Sequence, residues 1–416
     1  MITKNEIFYF ESYSYVKCND NECLIYNTLN KDIVEINDSC IIDFVQEVLK
    51  SKNNMYKLTS YDLNKSAIIK FIKLCKEKMI GDTFINNDSQ LLPFIYRPET
   101  KFHGEDLFTA VNEKILDAIN LKSYITELLI YDTDICENNC NYCGVGYLQY
   151  NICFQSKNSK WLRSDELLRE IESLSIKRIT VITVNPEKLI ESFNYNSLIK
   201  ISAIKKMVIH LKNILRLNNK NYELLYNSFE ELNIIVDGKC NNLGKDIEQL
   251  FAKDNDKKLE ISFIVQNKAD KKSYDMLAIH KFTEKVKILT LFNGLNREYI
   301  TSIISYNKNE VINLHNDFHN IFLNGLINSD YFGQLVILPD GTLTTDIINE
   351  NITYISSKSI SELIKKELLE GKLWLNTRAH QKPCSKCNYN ELCPPISKIE
   401  IYSNKYDYCK KEMKEK

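Results

Sequence analysis

Glycine and proline are scarce, at 11 and 7 in 416 residues. That scarcity excludes collagen-like, low-complexity and linker-rich chains. Charge of one sign is also missing: 54 Lys and Arg stand against 55 Asp and Glu, for a net charge of -1. A polyanion held by bulk charge is excluded, and no nucleic-acid partner is expected. No apolar run reaches the roughly 18 residues a membrane helix needs, so no membrane partner is expected either. The opening MITKNEIFYFESYSY has no basic segment ahead of an apolar one. The sequence therefore predicts no secretion signal and a cytoplasmic location. Nucleotide-binding glycine loops, the G-x-S-x-G elbow and H-E-x-x-H are absent. The histidines, His103, His210, His280, His315, His319 and His380, show no ligand pairing with a third partner and read as solvated or packed groups.

What the chain has is 44% hydrophobic residues, enough for a real core, and a length that suggests two or three domains. It also has 13 cysteines, an odd count that argues for a reducing compartment and against a disulfide framework. Cys18, Cys23, Cys40, Cys75, Cys153 and Cys240 are scattered, and the other seven form two tight groups of the kind that hold metals.

Four regions are expected. Residues 1–90 read as short strands at Phe8–Val16, Cys23–Asn27 and Ile33–Ile36, then helices after Asp38 and over Lys65–Lys78, then a strand at Met79–Ile85, a winged-helix-like α+β unit. Residues 91–124 form a connector with Pro93 and Pro98. From 125 to 325, apolar β-branched runs at Ile125–Tyr131, Ile179–Val184, Met207–Leu211, Leu232–Val236, Leu259–Val265 and Val286–Leu291 alternate with helical patterns such as Asp165–Leu174. Continuous apolar strands between helices mean parallel βα units covered on both faces. Six units are too few for a closed barrel of eight, so the expected α/β fold is a partial (β/α)6 barrel. Residues 326–416 carry the second cysteine group, with strand, turn and strand over Gly333–Gly341, a helix over Lys366–Trp374 and a solvated basic tail after Lys410.

The first group, Cys136, Cys140 and Cys143, is a C-x3-C-x2-C triad directly after the first strand of the βα series. Parallel α/β folds place their sites there. Three thiolates can hold three irons of a [4Fe-4S] cube and leave the fourth open, with a zinc loop as the alternative. The spacing, with the aromatic Tyr142 before the third cysteine, resembles the radical S-adenosylmethionine (radical SAM) superfamily. That resemblance implies that the open iron chelates the cofactor, and that one-electron transfer cleaves its sulfonium. The family's Gly-Gly-Glu-Pro turn, which receives the cofactor's amino group, is here Thr183-Val184-Asn185-Pro186. Tyr142, Thr183, Val184 and Asn185 are the expected cofactor contacts, but without a charge to pair with the ammonium. S-adenosyl-L-methionine is thus expected only if backbone carbonyls and iron chelation suffice. Cys153, ten residues on, reads as a small buried hydrophobe or as a fourth ligand closing the open iron.

The second group, Cys384, Cys387, Cys393 and Cys409, has the spacing C-x2-C-x5-C with a fourth cysteine downstream. Four thiolates suit zinc or a fully ligated [4Fe-4S] cluster equally well. The context resembles the SPASM domain, the C-terminal extension of radical SAM enzymes that modify peptides. Two further cysteines of that pattern are replaced by Asp346 and Ser397, which implies one auxiliary [4Fe-4S] cluster rather than two. Residues 1–90 likewise resemble the recognition element of ribosomal-peptide maturation systems, an ordinary α+β cap being the alternative. Together these imply a radical SAM/SPASM peptide maturase whose partner is a precursor peptide. The alternative is a non-catalytic, pseudo-radical-SAM subunit that binds the precursor or a partner maturase. No catalytic residue can be singled out from the many carboxylates.

Overall fold

The computed structural model describes residues 6–51, 54–85, 120–132, 136, 138, 140–153, 171–191, 193–238, 242–254, 258–278, 285–314, 317–348, 352–353, 357–370, 373–406 and 408–409. Pro93, Pro98, Cys240, His103, His280, His315, residues 165–170 of the expected helix and the basic tail lie outside these residues.

The molecule is mixed α/β around a mostly parallel sheet. Strands β7 (Glu127–Asp132), β8 (Arg178–Thr183), β9 (Ile204–His210), β10 (Glu231–Val236), β11 (Leu259–Val265) and β12 (Val286–Thr290) fall on the six apolar runs of the sequence. They pair side by side in chain order, every neighbour parallel. Helices return the chain between most of them, as parallel strands require. Alternate residues divide the two faces. Leu128, Ile130, Ile179, Val181, Met207, Ile209, Leu232, Ile234 and Phe263 join the helices in the main core. Leu129, Tyr131, Ile182, Val208, Ile235 and Ile264 line the opposite, inner face.

At the amino-terminal ends of the strands the inner face turns polar. Arg178 contacts Glu231 and Glu127, Lys206 contacts Glu231 and Glu260, and Lys287 contacts Glu260. These pairs are part-exposed, so each contributes at most about 1 kcal/mol. Their effect is to confine the apolar part of the inner face to the carboxyl end.

The stretch Gly333–Gly341 forms the expected hairpin, and it does more. Strand β13 (Gln334–Ile337) pairs parallel with β7, then antiparallel with β14 (Leu343–Thr344), which pairs with β15 (Ile352–Thr353). Among the described residues the main sheet thus has nine strands. The expected helix Lys366–Trp374 is displaced: the observed one is Ser357–Glu370, and Trp374 lies beyond its end, fully buried.

The run Phe8–Val16 is two strands, β1 (Glu6–Phe10) and β2 (Ser14–Cys18), because Glu11 accepts from the Ser14 amide and turns the chain between them. β2 pairs with β3 (Cys23–Asn27), and β3 with β4 (Ile33–Ile36). β1 lies between β5 (Met55–Lys57) and β6 (Gly81–Ile85). The helices Ser39–Lys50, capped by Asp38, and Ser66–Glu77 bury Phe44, Val45, Val48, Phe71 and Ile72 around Phe8. Cys18 and Cys23 face each other across the β2–β3 hairpin and are joined as a disulfide, which departs from the expectation of a chain without a disulfide framework.

The β2–β3 ribbon is also packed from outside. Tyr15, Leu24 and Tyr26 meet Val311, Ile321 and Leu392 of the C-terminal half. Lys17 reaches Glu391 and Asn390, and Tyr389 donates to Glu35. Among the described residues, no helix is long and apolar enough to cross a membrane.

Gly333 fixes the junction at which β13 enters the sheet. Its φ is +79°, and a Cβ there would sit 2.4 Å from the Tyr124 carbonyl oxygen. Its own carbonyl accepts from Thr126 and Glu127. Gly333→Ala should cost about 3 kcal/mol or more, from the left-handed backbone and the clash together. Urea denaturation checks this, and an unchanged midpoint would show that the junction has slack.

Candidate metal centre

The carboxyl ends of parallel strands collect the loops, and here they also collect a few polar side chains. Asp132 ends β7, Thr183 ends β8, His210 ends β9 and Asp237 follows β10. The loop leaving β7 carries Cys136, Cys140 and Cys143, all half-buried. Cys143 opens the helix Cys143–Gln149 and donates its amide to the Cys140 carbonyl. Beyond the helix the chain returns through Cys153, which is 2% exposed. Gly146 allows that return, because a Cβ on it would lie 2.5 Å from the Ile152 side chain.

The same helix spans the inner face. Gln149 donates to the Phe292 carbonyl and accepts from the Phe292 amide, and Tyr150 donates to the Thr290 carbonyl. The loop therefore starts at β7 and is fastened at the end of β12, across the mouth of the sheet. The three triad thiols, Cys153 and Tyr142 all border one apolar cluster with Leu129, Tyr131, Ile182 and Val184. A hydrogen bond from the Cys143 thiol, with His210 adding to it, holds Cys140 well below the usual thiol range. Burial, with Cys140 and Cys136 beside it, pushes Cys153 far up, so it is a neutral thiol.

Thr183, Val184 and Asn185 are placed at the sheet edge, but their side chains are engaged within the chain. The buried Thr183 hydroxyl donates to Asp132. Val184 is buried in the inner apolar cluster. The Asn185 carboxamide oxygen accepts the Lys188 amide at 3.1 Å, at the start of the helix Pro186–Glu191.

His210 is one of the packed histidines, and its place beside the triad was not expected. It is fully buried, and one of its ring nitrogens lies with Cys140 Sγ and an Asp237 carboxylate oxygen inside 4.8 Å. Asp132, His210 and Asp237 were missed although a signal existed: each is the polar residue that closes or follows an apolar strand run.

Cys384, Cys387 and Cys393 sit in a loop of tight turns, and Cys409 bridges to Tyr306. Burial raises the first three thiols, and charge on their fellow cysteines adds to the rise. Arg378 braces the loop. It forks onto Glu400, donates to the Pro394 carbonyl and lies 3.8 Å from Cys384 Sγ.

The donor sets can be tested against the groups they suit. With Zn–S near 2.3 Å, tetrahedral geometry puts thiolate sulfurs about 3.8 Å apart. Among the described residues, the ligand atoms that gather in a set of three within 4.8 Å are those of Cys140, His210 and Asp237, not three sulfurs of either group.

Two positions of the C-terminal unit where cysteines were expected now hold a different arrangement. Ser397 caps the helix Lys398–Ser403, and the neighbouring Lys398 is buried, with Nζ 3.1 Å from Asn151 Oδ1. Asp346, almost fully buried, attracts the Lys398 ammonium, as does Glu127. The S-x-x-E capping box at Ser397 marks the helix in the sequence, but nothing there marks the lysine as buried.

No family model matches the chain, and no curated protein sequence matches it. Among solved structures it is similar to BtrN in complex with AdoMet and 2-DOIA, at 14% identity and a TM-score of 0.32, covering 64% of this chain and 93% of that one.

Burial pushes the Lys398 pKa down from 10.5 to about 8, against the pull of Asp346 and Glu127. Between those two values the unfolded chain binds the extra proton, so this residue's penalty is full below about pH 8 and fades as pH rises. Lys398→Met should therefore gain on the wild type at neutral pH. That advantage should shrink by roughly 2 kcal/mol between about pH 7.5 and 10. Stability curves for the two proteins that run parallel across this range would contradict it.

Proposed function

We propose that this chain is an iron–sulfur protein of the radical SAM/SPASM type that acts in the maturation of a ribosomally made precursor peptide. The observation that carries the iron–sulfur reading is the C-x3-C-x2-C loop fastened over the apolar inner face at the carboxyl edge, with all three thiols bordering that face. Cys136, Cys140 and Cys143 would hold a [4Fe-4S] cluster. Such a cluster supplies one-electron reducing power and an iron open to the amino and carboxylate groups of S-adenosyl-L-methionine. The inner face beside that centre is apolar, and Gln149 and Tyr150 fasten the loop across it. Cys384, Cys387, Cys393 and Cys409 would hold one auxiliary [4Fe-4S] cluster in a SPASM-like unit. The parallel sheet is read as a partial (β/α)6 barrel. Residues 1–90 are read as a winged-helix-like element that takes the leader by strand addition on the edge strand β4.

A second reading is favoured by Asn185, whose carboxamide oxygen is engaged with the Lys188 amide and not presented to an ammonium. In that reading the chain is a non-catalytic subunit that binds the precursor or a partner maturase.

Anaerobic reconstitution should give about eight irons per chain, and Ala at Cys136, Cys140 and Cys143 together should remove about half. Stoichiometric zinc without visible charge-transfer absorption would overturn the iron–sulfur reading. Adding S-adenosyl-L-methionine to the reduced protein separates the other two. A shift in the cluster spectrum with 5'-deoxyadenosine formation supports the enzyme, and no change supports the accessory subunit.

A further inference from the structure

His210, Cys140 and Asp237 have the residue types of a small metal site, but the hydrogen bonds around the imidazole say otherwise. His210 caps the short helix Leu211–Leu215, where its Nδ1 accepts the Lys212 amide at 3.2 Å. A backbone amide can only donate, so Nδ1 offers its lone pair and carries no hydrogen. The Asn138 amide nitrogen, itself bonded to Asn213, sits 3.5 Å from the same Nδ1. The ring hydrogen is therefore on Nε2. Nε2 is buried and has no hydrogen-bond partner within the usual distance, and Asp237 Oδ2 is 4.0 Å away. A metal on Nε2 would require that hydrogen to leave while Nδ1 still accepts from Lys212, which makes an imidazolate.

We infer that His210 is a neutral hydrogen-bond donor to the cysteine triad, its Nε2–H directed at the Cys140 sulfur, and is not a metal ligand. This rests on the iron–sulfur reading of the triad. Asp237 Oδ2, 4.0 Å from the same nitrogen, shares this corner of the site. Hydrogen bonds to ligand sulfurs favour the more negatively charged, reduced form of a cluster and so raise its potential. His210 is a positioning residue that sets how readily the triad's cluster takes an electron.

The test uses reconstituted holoprotein, with His210→Ala and with His210→Gln, whose amide can donate toward the same place. In a potentiometric titration followed by electron paramagnetic resonance, Ala should leave the iron content unchanged and move one midpoint to a more negative potential. Gln should restore part of that shift. Midpoints that stay in place with full iron would overturn the inference, as would loss of the triad's share of iron in both variants, which would make His210 a ligand. A second measurement needs no iron: long-range proton–nitrogen spectra of 15N-histidine in the metal-free protein. The Nε2–H tautomer at His210 supports the inference, and Nδ1–H overturns it. A protein that takes up no iron overturns the cluster reading instead, and the tautomer still decides whether His210 is built as a donor.

Discussion

The pairing of β13 with β7 is the constraint on which the rest of the molecule hangs. β7 is the strand that launches the first cysteine loop, and β13 begins the segment that leads to the second. Four residues in parallel register, Gln334–Ile337 against Glu127–Ile130, join parts of the chain that are 207 residues apart. That register is fixed at one end by the left-handed Gly333 and at the other by the turn through Gly341. Two cysteine groups far apart in sequence thereby follow neighbouring strands of one continuous sheet.

From that sheet the site follows by alternation. One set of side chains faces the helices and the other faces the triad, so each strand serves both the main core and the inner cluster. The polar residues stand at the two ends of the strands: a charged lattice at the amino ends, and Asp132, Thr183, His210 and Asp237 at the carboxyl ends. The thiols thus sit above an apolar face and beside a few engaged polar groups, which is where hydrogen bonds gain strength from low dielectric.

Strands β7 to β12 were legible because each falls on an apolar, β-branched run of strand length, the pattern of strands covered on both faces. The triad was legible from its spacing and its place after the first run. Three things were not. β13 is too short to announce a parallel partner 207 residues upstream. The break after Phe10 is a turn without glycine or proline, so the apolar pattern ran through it. Burial of Lys398 and His210 comes from elements distant in sequence: Asn151 and Tyr331 around the lysine, Asn138 and Asp237 around the histidine. Local pattern reports on neighbours along the chain and is silent on such encounters.

The packing of the β2–β3 ribbon against the C-terminal half also orders events during synthesis. Lys17 and its partner Glu391 are 374 residues apart. At about 5–20 residues per second, a ribosome needs roughly 20–75 s to make the partner after the lysine has emerged. Through that interval Tyr15, Leu24 and Tyr26 have no cover from Val311, Ile321 and Leu392. The N-terminal ribbon is thus a sticky surface until the segments carrying Val311, Ile321 and Leu392 have been made.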